Sequence, residues 1–233
     1  MKTEPFVWRL KTPKNEWINF KDVIRKKVSV NTDTLGDFAI ARSDNSVLYY
    51  LANVIDDWTQ GVTHVIRGED HISNTPKQIL LYQACGYNVP QFAHLPLILG
   101  PTGNRLSKRD AATSVLEYKE NGYLAPALIN YLARLGWSHG DQEIFTLDEM
   151  IELFSLDAIG QSASAFNTEK LIWLNQHYIK SLPASEVASH AKWHFDALGV
   201  DLTTGPALES IIAIQADRVK TLKELAEIST YFY

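Results

Sequence analysis

Residues 62–99, VTHVIRGEDHISNTPKQILLYQACGYNVPQFAHLPLIL, decide how this chain folds. Val62-Thr63-His64-Val65-Ile66 reads as a short buried strand, and Arg67-Gly68-Glu69-Asp70-His71 as the turn that leaves it. Thr75, with Pro76 at the first helical position and Gln78 as capping-box partner, starts a helix that Gly86 ends. His94–Leu99 is the next strand. Upstream, from Leu48, the apolar period is helical, with Leu48, Leu51, Ala52 and Ile55 on a packing face and Tyr49, Asn53, Asp56 and Asp57 on the other; Gly61 stops that helix. Downstream, Ser114 with Glu117 opens another. Helix–strand–helix–strand–helix order implies an α/β fold with a parallel sheet, crossover helices, and ligands at the carboxyl ends of the strands. Two loops leave such ends, 67–71 and 100–110.

The second of these loops, Gly100-Pro101-Thr102-Gly103-Asn104-Arg105-Leu106-Ser107-Lys108-Arg109-Asp110, places three cationic side chains around one serine. Two glycines and a proline let the backbone turn, and the charge density suits a polyanion such as a phosphate chain. Taken alone, the loop is better read as a solvated basic turn.

On either side the pattern changes. Residues 1–47 carry short alternating runs, Phe6-Val7-Trp8, Trp17-Ile18-Asn19-Phe20, Val28-Ser29-Val30 and Phe38-Ala39-Ile40-Ala41, which predict antiparallel strands. Arg25-Lys26-Lys27 reads as a solvated strand edge rather than a dedicated phosphate contact. After about residue 122 helical signals take over: Pro126 opening ALINYLARLGW, Thr146 with Glu149, Asn167-Thr168 before EKLIWLNQHYI, and helices near Ser185–Leu198 and Ala207–Thr230.

Composition bounds the function. With 233 residues and 45% hydrophobic content the chain can build one large core or two modest ones. Its net charge of −5 argues against wholesale attraction to nucleic acid, so such contacts must be local. The single cysteine, Cys85, excludes an internal disulfide framework and a multi-cysteine zinc site; in LLYQACGY it reads as a buried structural thiol. No apolar run is long enough to span a bilayer and MKTEPFVWRL lacks a secretory pattern, so a soluble, cytoplasmic protein without membrane partners is expected. Asp56 and Asp57 diverge by about 100° on a helix and cannot easily share one ion. His190 and His194 have helical spacing for zinc but no third ligand, and a surface helix explains them. No protein-held metal and no structural zinc are expected.

VIDDWTQGVTHVIRGEDHISNTPKQ, RLSKRD and GYLAPALINYLARLGWSHGDQEIF running into SASAFNTEKLIWLNQHYI form an ordered series that resembles bacterial glutamyl-tRNA synthetases, a class I aminoacyl-tRNA synthetase family. The resemblance covers nearly the whole chain. It implies the second half of a class I nucleotide-binding, Rossmann-like parallel sheet, preceded by short antiparallel strands and followed by an α-helical stem-contact domain. The implied segments are 1–47, the end of a β-rich connective insertion; 48–121, the half-fold with its KMSKS-type loop; and 122–233, the stem-contact helices. The family's His-x-Gly-His motif and anticodon-binding region have no counterpart here, so an internal fragment, inactive alone, is expected; the ending on Tyr231-Phe232-Tyr233 fits truncation.

The implied reaction joins L-glutamate to ATP, which travels with Mg2+ as substrate, to give glutamyl-adenylate, and passes the acyl group to tRNA-Glu. Both steps develop negative charge on phosphate oxygens, which positioned cations stabilise when water is excluded. By alignment with the family signature, Lys108 serves the ATP phosphates, Arg105 takes the first basic position, Leu106 presents backbone to adenine, Ser107 keeps the loop compact, and Arg109 stands where the signature ends in serine. Arg67 is the candidate fork for the glutamate side chain, where a glutamine amide would point donors at donors. A structural ion pair of Arg67 with Asp56, Asp57 or Glu69 is the other reading. The resemblance adds Tyr49 and Asn53 to that pocket, their i, i+4 spacing putting them together on the helix face not used for packing. It places Asp70 near the ATP ribose and His71 near the amino acid, although Asp70 could equally cap the following helix. Contact of the helical half with the tRNA backbone also rests on the resemblance. The full-length enzyme is expected to be monomeric. A tRNA-binding or regulatory paralogue without catalysis is the alternative; intact Lys108 and Arg67 speak for the ligase.

Overall fold

A computed structural model describes residues 6–100, 102–106 and 114–233 of the chain. Ser107, Lys108 and Arg109 lie outside the described residues. The chain divides into two compact units, Met1–Leu97 with Ser155–Ser162 and Ile98–Phe154 with Ala163–Tyr233, each with its own apolar core. This division by compactness cuts the middle sequence segment at Leu97.

In the first unit, β1 (Val7–Leu10) and β4 (Phe38–Arg42) form an antiparallel ribbon. The main sheet has the order β3-β2-β6-β5, built from β2 (Trp17–Asp22), β3 (Lys26–Asn31), β5 (His64–Gly68) and β6 (Gln91–Leu95). β2 and β3 are an antiparallel hairpin, and β5 and β6 are parallel, joined through α2 (Thr75–Ala84). β2 also runs parallel to β6, with Asp22 opposite Phe92. The N-terminal hairpin therefore extends the parallel sheet, which its alternating pattern alone does not reveal.

Three expectations are corrected here. β5 is an edge strand among the described residues, with His64 and Ile66 exposed, rather than a buried one. The helix α1 (Tyr49–Thr59) packs through Val54, Tyr50 and Leu51, a face rotated from the one centred on Leu48 and Ile55. The strand expected over His94–Leu99 is split: Pro96 and Leu97 separate β6 from β7 (Ile98–Leu99), which belongs to the other unit. Pro96 carries no backbone N–H for a ladder, which favours a break there.

Helix ends follow local chemistry. Gly61 and Gly86 both adopt positive φ, and each stops its helix with a paired set of bonds: Gly61 N to Trp58 O with Val62 N to Asp57 O, and Gly86 N to Gln83 O with Tyr87 N to Tyr82 O. Cys85 occupies the last helical turn beside Gly86 and is exposed, not buried.

The second unit contains α3 (Val115–Glu120), α4 (Ala125–Arg134), α5 (Leu147–Leu153), β8 (Ser164–Ala165), α6 (Thr168–Ser181), α7 (Ala184–Ala197), α8 (Leu208–Gln215) and α9 (Leu222–Ser229). Ser114, Thr146 with Glu149, and Asn167 cap α3, α5 and α6, as their sequences predict. The single helix expected over Ala207–Thr230 is broken: Val219 turns inward and Thr221 caps a new helix by accepting from Glu224 N. His194 is buried on α7 while His190 is exposed, so only one of the two lies on the surface.

Two buried asparagines knit this unit. Asn175 on α6 accepts from Leu124 N at 2.8 Å and donates to Gly122 O at 3.3 Å and Lys220 O at 2.7 Å. Asn130 on α4 accepts from Phe145 N and the Tyr178 hydroxyl and donates to Glu143 O. At Gly122, φ is +84° and an added Cβ would meet Lys223 N at 2.4 Å, so only glycine fits.

Candidate functional site

Arg67 is the penultimate residue of β5, and its register partner on β6 is His94. The two side chains meet: Arg67 Nε donates to His94 Nε2 at 3.2 Å. Arg67 Nη2 donates to Thr75 Oγ1 at 2.8 Å and to Gln78 Oε1 at 2.7 Å, both from the first turn of α2. The Phe92 ring lies 5.6 Å from the guanidinium carbon. Thr75 and Gln78 are therefore not a capping box. The residue before α2 is Asn74, which makes no side-chain cap, and the two polar groups turn inward to the arginine.

The anchors are neutral. Thr75, Gln78 and His94 are buried, and no described carboxylate is in ion-pair contact with Arg67. The structural ion pair considered from the sequence does not form: Glu69 pairs with Arg25 instead, and Asp57 accepts from the Tyr82 hydroxyl at 3.4 Å. Asp56 is exposed. Burial pushes Arg67 below the ordinary guanidinium range, and Tyr49 and Asp57 act against that shift. The same burial raises the Asp57 carboxyl, against the Tyr82 hydroxyl bond and the Arg67 charge.

Behind Arg67 stands an acid that sequence reasoning missed. His94 Nδ1 contacts Asp22 Oδ2 at 2.6 Å, and both side chains are fully buried. The other oxygen, Asp22 Oδ1, accepts from Ile24 N, Arg25 N and His94 N at 3.0, 2.8 and 3.3 Å. Burial acts to raise the Asp22 pKa, but the donors from Arg25, His94 and Ile24 outweigh it and the carboxyl stays below its ordinary value. Burial likewise lowers His94, with Asp22 opposing and Arg67 and His71 reinforcing. A charged carboxylate only accepts, so the imidazole proton sits on Nδ1 and Nε2 offers its lone pair to Arg67.

On the other side of the arginine, Tyr49 Oη and His71 Nδ1 lie 3.2 Å apart, and Asn74 Nδ2 lies 3.1 Å from the same imidazole nitrogen. Tyr49 is exposed, and the half-buried Asn53 has its Oδ1 buried without a hydrogen-bond partner. The structure thus brings Tyr49 and His71 into contact and keeps Asn53 one helical turn on. Asp70 is exposed in the short 3-10 turn Glu69–His71 and lies against Gly68, whose added Cβ would sit 2.6 Å from Asp70 Oδ1. It does not cap α2. Arg25, expected on a solvated edge, is half-buried: it pairs with Glu69 and donates to Gln161 O at 2.9 Å. Glu69 in turn accepts from Leu97 N at 3.0 Å.

Of the basic loop, the second unit shows the stem. Leu99 bridges Arg105, Gly100 N donates to Asn104 O at 2.7 Å, and Leu106 N donates to Ile98 O at 2.9 Å. Gly103 adopts positive φ within the turn, and the Leu106 side chain packs on the core of this unit while Arg105 is exposed. Leu106 is thus held by its N–H on Ile98 O and by its side chain on the core.

No described group of three or more histidine, cysteine, aspartate or glutamate side chains converges to hold a metal, and no described helix is long and apolar enough to cross a membrane. Signals for the missed residues were present but weak. His94 and Asp22 are 72 positions apart, and only the parallel register of β2, β6 and β5 aligns them.

Residues 1–173 match the family model described as tRNA synthetases class I (E and Q), catalytic domain. Among solved structures, a glutamate tRNA ligase from Elizabethkingia meningosepticum CCUG26117 in complex with its amino acid is 35% identical, with a TM-score of 0.85, over 97% of this chain and 49% of that one. The glutamate-tRNA synthetase from Elizabethkingia anophelis is also 35% identical, with a TM-score of 0.83, over 97% and 50%. The chain spans about half the length of these solved proteins.

Proposed function

This chain belongs to the class I tRNA synthetase family for glutamate and glutamine, and from that membership we propose that it carries the glutamate-recognition half and the signature loop of a glutamate–tRNA ligase. The observation that supports this reading is the half-buried Arg67, held by three neutral acceptors with no carboxylate among the described residues in contact. A cation left uncompensated in a partly dry niche favours an anionic ligand, and the side-chain carboxylate of L-glutamate is that ligand. L-Glutamine would turn N–H groups toward the same fork and lose the ion pair. Tyr49, Asn53 and His71 line the approach; the unpartnered Asn53 Oδ1 is an acceptor for the substrate's ammonium.

In the first chemical step the α-carboxylate attacks the α-phosphorus of ATP and pyrophosphate leaves; in the second the terminal ribose hydroxyl of tRNA-Glu attacks the acyl carbon and AMP leaves. ATP enters with Mg2+ as substrate. Lys108 and Arg105 balance the phosphate charge, Leu106 offers backbone to adenine, Ser107 and Arg109 complete the loop, and Asp70 serves the ribose. The segments 1–47, 48–121 and 122–233 serve as connective end, half-fold and stem-contact helices. The chain alone is proposed to bind glutamate without turning it over.

Calorimetry of the chain with L-glutamate and L-glutamine tests the recognition step. Arg67→Ala should cost on the order of 2–5 kcal/mol of glutamate binding; equal affinity for glutamine, or no loss in the variant, would reject it. Catalysis is testable in a chimera in which this chain replaces the matching half of the Elizabethkingia meningosepticum enzyme. There Lys108→Ala should slow glutamate-dependent pyrophosphate exchange far more than it weakens glutamate binding, and an unchanged exchange rate would sink the loop assignment.

A further inference from the structure

We propose that Asp22 and His94 are positioning residues that hold the Arg67 guanidinium in its carboxylate-binding orientation by fixing the imidazole as the Nδ1–H tautomer; the link to substrate rests on Arg67 being the glutamate fork. Arg67 Nε–H can be anchored by His94 only if Nε2 is a lone pair. Nothing in an imidazole prefers that tautomer by itself; the charged Asp22 Oδ2 at 2.6 Å imposes it. Were the proton on Nε2, or were the ring doubly protonated, two donors would face each other at 3.2 Å and Arg67 would have to turn away from β6.

The two oxygens of Asp22 divide the work. Oδ1 takes all three backbone amides, from Ile24, Arg25 and His94, and so builds the hairpin turn. Oδ2 touches only the imidazole. Asp22→Asn can therefore keep Oδ1 and the turn while replacing Oδ2 with an N–H2 donor, which demands a lone pair on His94 Nδ1 and sends the proton to Nε2. It is a tautomer-inverting substitution that preserves shape.

The charged and titratable groups facing this pair come from every neighbouring element: Asp22 from β2, Arg67 from β5 and His71 from the turn, while α2 contributes the uncharged Thr75 and Gln78. Asp57 and Tyr49 of α1 and Tyr82 of α2 act on Arg67 or its neighbours. Protonating His94 should thus release Arg67 as the asparagine does.

The test is nitrogen-resolved NMR of the full chain. Wild type should show His94 protonated on Nδ1 and the Arg67 Nε–H protected from solvent. Asp22→Asn should invert the tautomer, speed Arg67 Nε–H exchange at least tenfold and weaken L-glutamate binding at least tenfold, with the amides of residues 23–26 unmoved. If the tautomer inverts and Arg67 exchange does not change, the proposal is wrong. If Arg67 is released but glutamate affinity holds, positioning stands and the reading of Arg67 as the glutamate fork fails. Should the variant not fold, acid titration of the wild type decides: the Arg67 Nε and His94 ring resonances must move with one midpoint, and separate midpoints overturn the proposal.

Discussion

The two units bury polar groups for opposite purposes. In the second, Asn130 and Asn175 are neutral, and every bond they make closes a backbone or hydroxyl group of the same unit. In the first, the chain Asp22–His94–Arg67 carries formal charge and ends on a cation whose anchors leave that charge unneutralised. A satisfied neutral network rigidifies a fold; a charged network with one end open is a poised receptor. The difference teaches where to look for ligand: at the buried network whose cation meets no described carboxylate directly.

That contrast can be broken by mutation. The largest effect on folding is expected at Asn175→Ala, which strands Leu124 N–H, Gly122 O and Lys220 O together and should cost about 3 kcal/mol in urea unfolding of the second unit. Glutamate affinity should not follow. Arg67→Met tests the opposite pole: removing a half-buried charge offsets the acceptors it leaves, so stability should change by less than about 1 kcal/mol while glutamate binding disappears. A loss of stability as large as that of Asn175→Ala would erase the distinction between the units.

Acid sharpens it further. Burial holds both His94 and His194 below the ordinary histidine value, His194 with Lys119 and Lys223 adding to the effect. Because the folded forms resist protonation, their stabilisation is complete above the unfolded value near ~6.5 and is lost as pH falls below it, at up to about 1.4 kcal/mol per pH unit for each group. Unfolding followed between pH 7 and 5 should flatten in His194→Gln for the second unit. His94 should couple its titration to glutamate binding and His194 should not. The smallest effect lies in the hairpin, where Lys26 adopts a φ of +66°. Lys26→Gly relieves that strain but gives up the Nζ bond to Val23 O, and a net gain of about 1 kcal/mol in the first unit is expected from thermal unfolding.

What the sequence disclosed follows the range of the forces involved. Ser114, Thr146 with Glu149, Asn167, Gly61 and Gly86 act on backbone groups within a turn, and their positions could be read directly. Arg67 was legible from its place near the end of a strand, whereas Tyr49 and His71 join it in the sequence only through the family resemblance; their contact is a matter of the fold. Thr75 and Gln78 carry the spacing of a capping box and are used for something else, since an unpaired guanidinium nearby competes for the same oxygens. Asp22 was hidden because a parallel register, not a local pattern, sets it beside His94. The break at Val219 was hidden for a different reason: the apolar period runs through it, and only the Thr221–Glu224 cap betrays the new start.

The return of residues 155–162 to the first unit has a bearing on synthesis. Gln161 donates to Ile24 O and accepts from Arg25, gripping the same hairpin turn whose amides hold Asp22. As the chain emerges from a ribosome, every strand of the main sheet is out long before Gln161 is. Asp22 and its three amide donors, on Ile24, Arg25 and His94, are all out before it, so the turn they build is the surface on which Gln161 closes.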